Sequence, residues 1–447
     1  MLDCLTAADF VLQRSRYLLL TLLVWSCGGV AVAAPLALPE ATGYALAHNP
    51  RLAAAQFRWQ AAAAQVSRMR ALSGPQLRLS ADAIHYSWLP PNKANLLGPG
   101  NEDYLLNLDA TKILYSPSLR AQVDIVSADY LAACERLRRA RQQVVYDVAA
   151  SWYEVQRNQK RLEADQASLK QLEAHEQMVK DYFRLGKVAE LDVLQVGVRV
   201  ADARQRLIGS ENAVRLAALQ LRNAMGLGAS DALEVPAPPD PIVPAIGPFA
   251  EMEQQIEQAW LKRPETLAAE AQIVRSEAER RQAATGLQPE ARAVANYNRE
   301  GTSWPDLDQW FVGVRATLPL FDSGVTRHAT AAAGANLEAS RADLETVRQL
   351  VQLEVTQAQL RLREGAERVA ATRAAVDEAK RALEIERRSY EVGMSTILDV
   401  LDTETAMTRA AYNYIDAVFT YHTAEAQLTL ALGADPTVTP PTSKESQ

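Results

Sequence analysis

The stretch Tyr390-Glu391-Val392-Gly393-Met394-Ser395-Thr396-Ile397-Leu398-Asp399-Val400-Leu401-Asp402 breaks a long helical pattern at Gly393 and restarts it within a few residues. It reads as the tip of a helical hairpin. An echo stands at Leu185-Gly186-Lys187-Val188-Ala189-Glu190-Leu191-Asp192-Val193-Leu194. Gly186 and Gly393, Asp192 and Asp399, Val193 and Val400, and Leu194 and Leu401 are each 207 residues apart. One tip used twice points to an internally duplicated chain.

The duplication extends outward from the tips. Pro50 pairs with Pro264, and Pro75 with Pro289, at a spacing of 214. Ala110 pairs with Ala316, and Tyr115 with Phe321, at 206, while Leu221 with Leu428 and Gly226 with Gly433 return to 207. The drop from 214 to 206 means that the first half holds eight extra residues between Pro75 and Tyr115. They fall in the Pro90–Gly100 stretch, which reads as a loop. The expected organisation is a first repeat over 34–230, a Pro-rich linker over 231–249, a second repeat over 250–433 and a disordered tail over 434–447.

Residues 1–33 read as an export signal: Arg14 and Arg16, an apolar run from Tyr17, then small residues ending in an A-x-A site at Ala31–Ala33. A single membrane anchor and a lipid-attached Cys27 are the competing readings of this segment. After cleavage only Cys134 remains, so stability must come from packing or assembly. A net charge of -7 argues against a nucleic-acid partner. Apolar residues make up 48% of the chain but aromatics only 6%; that bias, with abundant Ala, suits long helices packed through small side chains.

Each half reads as short helix, two strands, long helix, tip, short helix. The helices are expected over 40–72, 118–185 and 191–225, then 250–285, 325–392 and 398–432. A long helix of about 68 residues spans roughly 100 Å. Two short helices stacked end to end match one long helix. In the second long helix Val355, Leu362, Val369, Val376, Leu383 and Tyr390 recur every seven residues, with Ala358, Gly365, Thr372 and Ala379 on a neighbouring line. That is a coiled-coil seam of large against small residues. Val144, Val148, Trp152, Val155, Leu162, Leu169, Leu172 and Val179 make the stripe of the first long helix.

The strands alternate. Leu77, Leu79, Ala81 and Ala83 oppose Arg78, Ser80 and Asp82; Leu106, Leu108 and Ala110 oppose Asn107, Asp109 and Thr111. Ala291, Ala293, Ala295 and Tyr297 form one face of the third strand, and Val312, Val314, Ala316, Leu318 and Leu320 one face of the fourth. Such strands fit either a soluble half-buried sheet or a membrane barrel with a polar lumen. Four strands cannot close a barrel, and lipid tolerates no open edge. In a membrane, three chains would supply twelve strands and a twelve-helix tube. Tyr86, Trp88, Tyr104, Tyr115, Trp304, Trp310 and Phe321 near the strand ends suit interfacial girdles.

With these parts together, the chain from Leu38 to Gly433 resembles the TolC-like outer membrane efflux proteins. The resemblance rests on Leu38-Pro39-Glu40-Ala41, Asn49-Pro50-Arg51-Leu52, the Leu318–Gly324 strand-to-helix junction and the Tyr390–Asp402 tip. It implies the outer-membrane factor of a tripartite efflux or type I secretion system in a Gram-negative bacterium. The implied assembly is a homotrimer with a 12-stranded β-barrel, four strands per chain, above a trimeric α-barrel reaching into the periplasm. It implies a periplasmic adaptor (membrane fusion) protein and an inner-membrane transporter as partners, with no catalytic, cofactor or metal site. A pore constriction is implied at Tyr390, Ser395, Asp399, Asp402 and Asp192. Ser395 stands where the family often has a basic lock residue. Leu185, Gly186, Leu191, Val193, Val392, Gly393, Leu398 and Val400 are the implied adaptor-docking tips. Asp399 and Asp192 also read as helix-capping acids.

Two other classes compete. An enzyme is disfavoured because His48, His85, His175, His328 and His422 show no metal-ligand spacing and no phosphate loop or nucleophile motif is visible. A periplasmic structural or adaptor-like hairpin protein would carry one hairpin flanked by β-rich domains, where this chain has two.

Overall fold

The computed structural model describes residues 37–87, 102–228, 235–237, 251–301 and 307–434. The export signal with Cys27, the Pro90–Gly100 loop, Trp88, Trp304, most of the 231–249 linker and nearly all of the tail lie outside these residues.

The order of elements is α1 (Leu38–His48), α2 (Pro50–Ala71), β1 (Gln76–His85), β2 (Glu102–Tyr115), α3 (Pro117–Arg184), α4 (Glu190–Met225), then α5 (Met252–Lys262), α6 (Pro264–Ala283), β3 (Glu290–Gly301), β4 (Leu307–Thr317), α7 (Val325–Glu391) and α8 (Ile397–Ala431). The second half repeats the first. Two helices expected to run unbroken, over 40–72 and 250–285, are each split. The breaks fall at Asn49 (ψ 123) and Arg263 (ψ 132), both extended. Each precedes a proline, whose ring disfavours helical geometry in the residue before it.

The chain divides into two compact units. The first comprises the described residues of Met1–Ala55, Leu137–Pro264 and Arg348–Gln447. Here the proline breaks have a packing role. Gly226 caps α4 in the left-handed region at φ 80, and a side chain on it would meet Asn49 Cα at 2.9 Å. A side chain on Gly433, at φ 67, would likewise meet Arg263 Cα at 3.0 Å. Asn49 Nδ2 donates to the Ala224 carbonyl at 2.7 Å. The last helix of each repeat thus ends on the kink between that repeat's first two helices, and only glycine fits there. Most of the seam forms as expected: Val355, Leu362, Val369 and Leu383 are buried, with Ala358 and Gly365 beside them, while Val376 and Tyr390 are half-buried. Leu362 and Val369 pack against Val418, Tyr421 and Ala424 of α8.

The second unit comprises Gln56–Arg136 and Glu265–Val347. Its four-stranded sheet runs β1-β2-β3-β4, every pair antiparallel. β4 ends at Thr317, short of the expected Leu320, because Pro319 has no N–H for a ladder. Its helices pack through small residues: Ala128, Ala132, Ala271 and Ala278 are buried, and the Ser276 and Ser340 hydroxyls meet at 2.8 Å. Ser116 receives the Leu119 N–H at 3.2 Å and donates to Glu290 Oε1 at 2.8 Å. It therefore caps α3 and ties its start to β3.

Candidate functional site

The two tips share one backbone turn. Gly186 (φ 68) and Gly393 (φ 76) occupy the left-handed region. The Lys187 N–H donates back to the Tyr182 carbonyl at 2.9 Å, and the Met394 N–H to that of Ser389 at 2.8 Å. Both are Schellman closures of a long helix.

The restart differs. In the second tip Thr396 caps α8: its Oγ1 accepts the Asp399 N–H at 3.3 Å. The Asp399 carboxylate accepts in return from Thr396 Oγ1 at 2.6 Å, from the Thr396 N–H at 3.1 Å and from Ser395 Oγ at 3.4 Å. These donors, the Thr396 hydroxyl foremost, hold the Asp399 carboxyl below its ordinary range. In the first tip Ala189 has no side-chain cap, and only the Asp192 carboxylate accepts the Ala189 N–H, at 3.1 Å. Ser395 donates to the Glu386 carboxylate as well.

Burial separates the tips further. Val400 is fully buried and Leu401 is 1% exposed, whereas Leu194, the equivalent of Leu401, is 61% exposed. Ile397 and Leu401 insert among Leu172, Val179, Val196 and Val200 of the first hairpin. Val193 and Tyr390 pack against this cluster half-buried. The Tyr390 hydroxyl is buried without a hydrogen-bond partner. Burial raises its pKa, reinforced by Tyr182 and Asp192. Leu185, Leu191, Val392 and Leu398 stay exposed, as do Gly186 and Gly393. Val400, grouped with the docking surface on sequence grounds, has no accessible side chain in this chain.

Polar links join the two hairpins just beyond the tips. Arg199 on α4 pairs with Asp402 on α8 at 3.2 Å. Arg387 on α7 donates to Gln171 on α3 at 3.0 Å and lies 3.7 Å from Glu404 on α8. Tyr412 and Arg161 bond Asp165 and Asp416 across the same helices. Glu404 is 3% exposed and neither carboxylate oxygen has a hydrogen bond. Burial pushes its pKa up, with Arg387 pulling in the opposite direction. It borders a cavity of about 170 Å³ shared with Arg199, Arg206, Leu401 and Tyr412. Arg199, Arg387 and Glu404 were absent from the sequence-based site. Glu404 alone left a local signal, a charge completing the apolar series Ile397, Val400, Leu401 at helical spacing.

In the second unit the sheet has one mainly apolar face, interrupted by Lys112 and the Arg299–Asp308 pair, and one mainly polar face that also carries Leu105, Val294 and Phe311. Leu77, Leu79, Trp310, Val312 and Val314 on the apolar face are mostly exposed, up to 74%. Asp109, Asn296, Arg78, Arg292 and Arg315 share the polar face, with Asn296 Nδ2 donating to Asp109 at 2.9 Å. Among the described residues no helix is long and apolar enough to cross a membrane, and no group of three or more His, Cys, Asp or Glu is placed to hold a metal.

The chain is thus internally duplicated, with paired helical hairpins in one unit and a small amphipathic sheet in the other. The family model for outer membrane efflux proteins matches residues 42–227 and 255–434, and the chain belongs to that family. It is 25% identical over 405 residues to the outer membrane protein TolC of Vibrio cholerae, covering 89% of this chain and 90% of that protein. The fold is also that of the Campylobacter jejuni CmeC outer membrane channel (TM-score 0.78, 14% identity, 93% of this chain and 94% of that one). It is likewise that of the Neisseria gonorrhoeae MtrE outer membrane channel in its open state (TM-score 0.74, 19% identity, 89% and 88%). The chain is thus an outer membrane efflux protein, from a family of transport proteins rather than enzymes.

Proposed function

We propose that three copies of this chain close one duct, contributing twelve strands to a barrel in the outer membrane and their helical hairpins to a periplasmic tube. The observation that carries this is the sheet: four antiparallel strands whose outer members, β1 and β4, each pair on one side only. Its apolar face stands exposed. A lipid-embedded sheet must have no free edge, and an even-numbered closed barrel removes it. In this reading the duct receives cargo from an inner-membrane transporter through a periplasmic adaptor. Leu185, Leu191, Val392 and Leu398, on the turns made by Gly186 and Gly393, offer the adaptor its apolar contacts. Tyr390, Ser395, Asp399, Asp402 and Asp192 line or brace the periplasmic mouth. With Ser395 in place of a basic residue, Arg199 supplies the cation that holds Asp402.

The test is fractionation followed by electrophoresis without heating. An outer-membrane species that runs as a trimer and collapses to monomer on boiling is expected. A soluble periplasmic monomer would overturn the reading in favour of a hairpin protein of structural or adaptor type.

A further inference from the structure

Charge on the polar face of the sheet is sorted along the strands. Asp82, Asp103 and Glu300 lie toward the end marked by His85, Glu102 and Gly301. Arg78, Arg292 and Arg315 lie toward the other end, where β1 begins and β2 and β4 finish. Arg292 and Arg315 stand directly opposite each other across the β3–β4 ladder. Like charges in that position destabilise a sheet, so packing alone does not account for them. Their neutralisation is incomplete. Arg292 reaches Glu290 only at 3.6 Å, and Glu290 is also bonded to Ser116. Arg78 faces Asp109 across β1–β2, but Asp109 accepts from Asn296 instead. Among the described residues neither Arg78 nor Arg315 has an ion-pair partner, and the side chain of Arg292 is half exposed.

The neighbouring positions on the opposite face are Leu77, Leu79, Ala291, Ala293 and Val314, with Lys112 opposite Ala293 where the apolar band ends. The arginines therefore sit at the margin of the apolar band, near one end of the strands. A charged side chain there is tolerated when it faces water in a lumen.

We propose that Arg78, Arg292 and Arg315 form an anion-selectivity zone on the lumen wall, which enriches anionic solutes and disfavours cations at the base of the barrel. This rests on the trimeric-duct reading, in which three chains bring nine guanidinium groups to one lumen. Rings of arginine or lysine are the general device by which pores favour anions. The recognised chemistry is negative charge: chloride at the smallest, and carboxylate- or phosphate-bearing solutes among larger cargo.

The test is the reversal potential of the purified protein in planar bilayers under a potassium chloride gradient. Dilute salt, about 10 mM on the lower side, extends the Debye length to about 30 Å, so that wall charges act across the lumen. The variant carrying R78Q, R292Q and R315Q together is expected to shift its reversal potential toward that of potassium relative to the parent. R315Q alone is expected to shift it part of the way, and R315K to leave it at the parent value. Equal reversal potentials for the parent, the single and the triple variants would overturn the selectivity zone while leaving the duct intact. A parent protein that conducts nothing would overturn the duct reading itself, and the zone with it.

Discussion

The two tips carry the same turn in different surroundings. The first, at Gly186, is largely exposed: Leu191 and Leu194 face outward and α4 restarts on an alanine. The second, at Gly393, is seated: Val400 and Leu401 are buried against the first hairpin, and α8 restarts on a Thr396–Asp399 capping box. Duplication preserved the backbone and let the side-chain environments diverge. Helix closure and restart are local properties that survive copying. Burial depends on what the neighbouring hairpin presents, and each tip meets a different neighbour. The first hairpin acts as a platform and the second as the element that docks onto it.

The sharpest way to break this comparison is to truncate equivalent leucines. Leu401→Ala removes a side chain that is 1% exposed and should cost about 2–5 kcal/mol. Leu194→Ala should cost less than about 0.5 kcal/mol. Denaturant unfolding in detergent, followed by intrinsic fluorescence, measures both. An equal cost at Leu194 would mean that another chain covers the first tip. The caps come next. Thr396→Ala should destabilise by about 1 kcal/mol, and Ala189→Thr at the equivalent position should act with the opposite sign. A cost at Ala189→Thr would show that the first restart is not open to a capping side chain.

The smallest effect is a slope with pH. Glu404 has a raised pKa in the folded chain, so the folded state holds its proton where the unfolded state has released it. Its contribution is favourable below the ordinary glutamate value of 4.5 and is lost as pH rises from there through the raised folded value. Glu404→Gln should remove that slope and make thermal unfolding in this acidic window less dependent on pH. The same slope in both proteins would assign it to other groups. The equivalent residue in the first tip is Gly197, which has no charge to titrate, so this response belongs to the docking hairpin alone.

How far the sequence reaches follows the same division. Both tips, the coiled-coil seam and the strand alternation are periodic and local, and each stood close to its expected place, the fourth strand stopping three residues early before Pro319. The splits at Asn49 and Arg263 were also encoded, by the prolines that follow, but the long apolar pattern masked them. Their purpose, cradling Gly226 and Gly433, depends on contact between distant segments. Arg199 and Asp402 lie 203 residues apart in sequence, and no spacing rule joins them. The Asp399 carboxylate was legible as a cap because its partner is three residues away.

In the proposed duct, seating the second tip on the first hairpin keeps the periplasmic mouth narrow. It is tested most directly by bridging Arg199→Cys and Asp402→Cys with a short bis-maleimide, in a Cys134→Ala background, during planar-bilayer recording. Unbridged, the double variant has lost its 3.2 Å ion pair and should conduct more than its parent. Bridged, it should fall to a low, steady conductance. If bridging leaves the conductance unchanged, the contact between these hairpins does not set the width of the mouth.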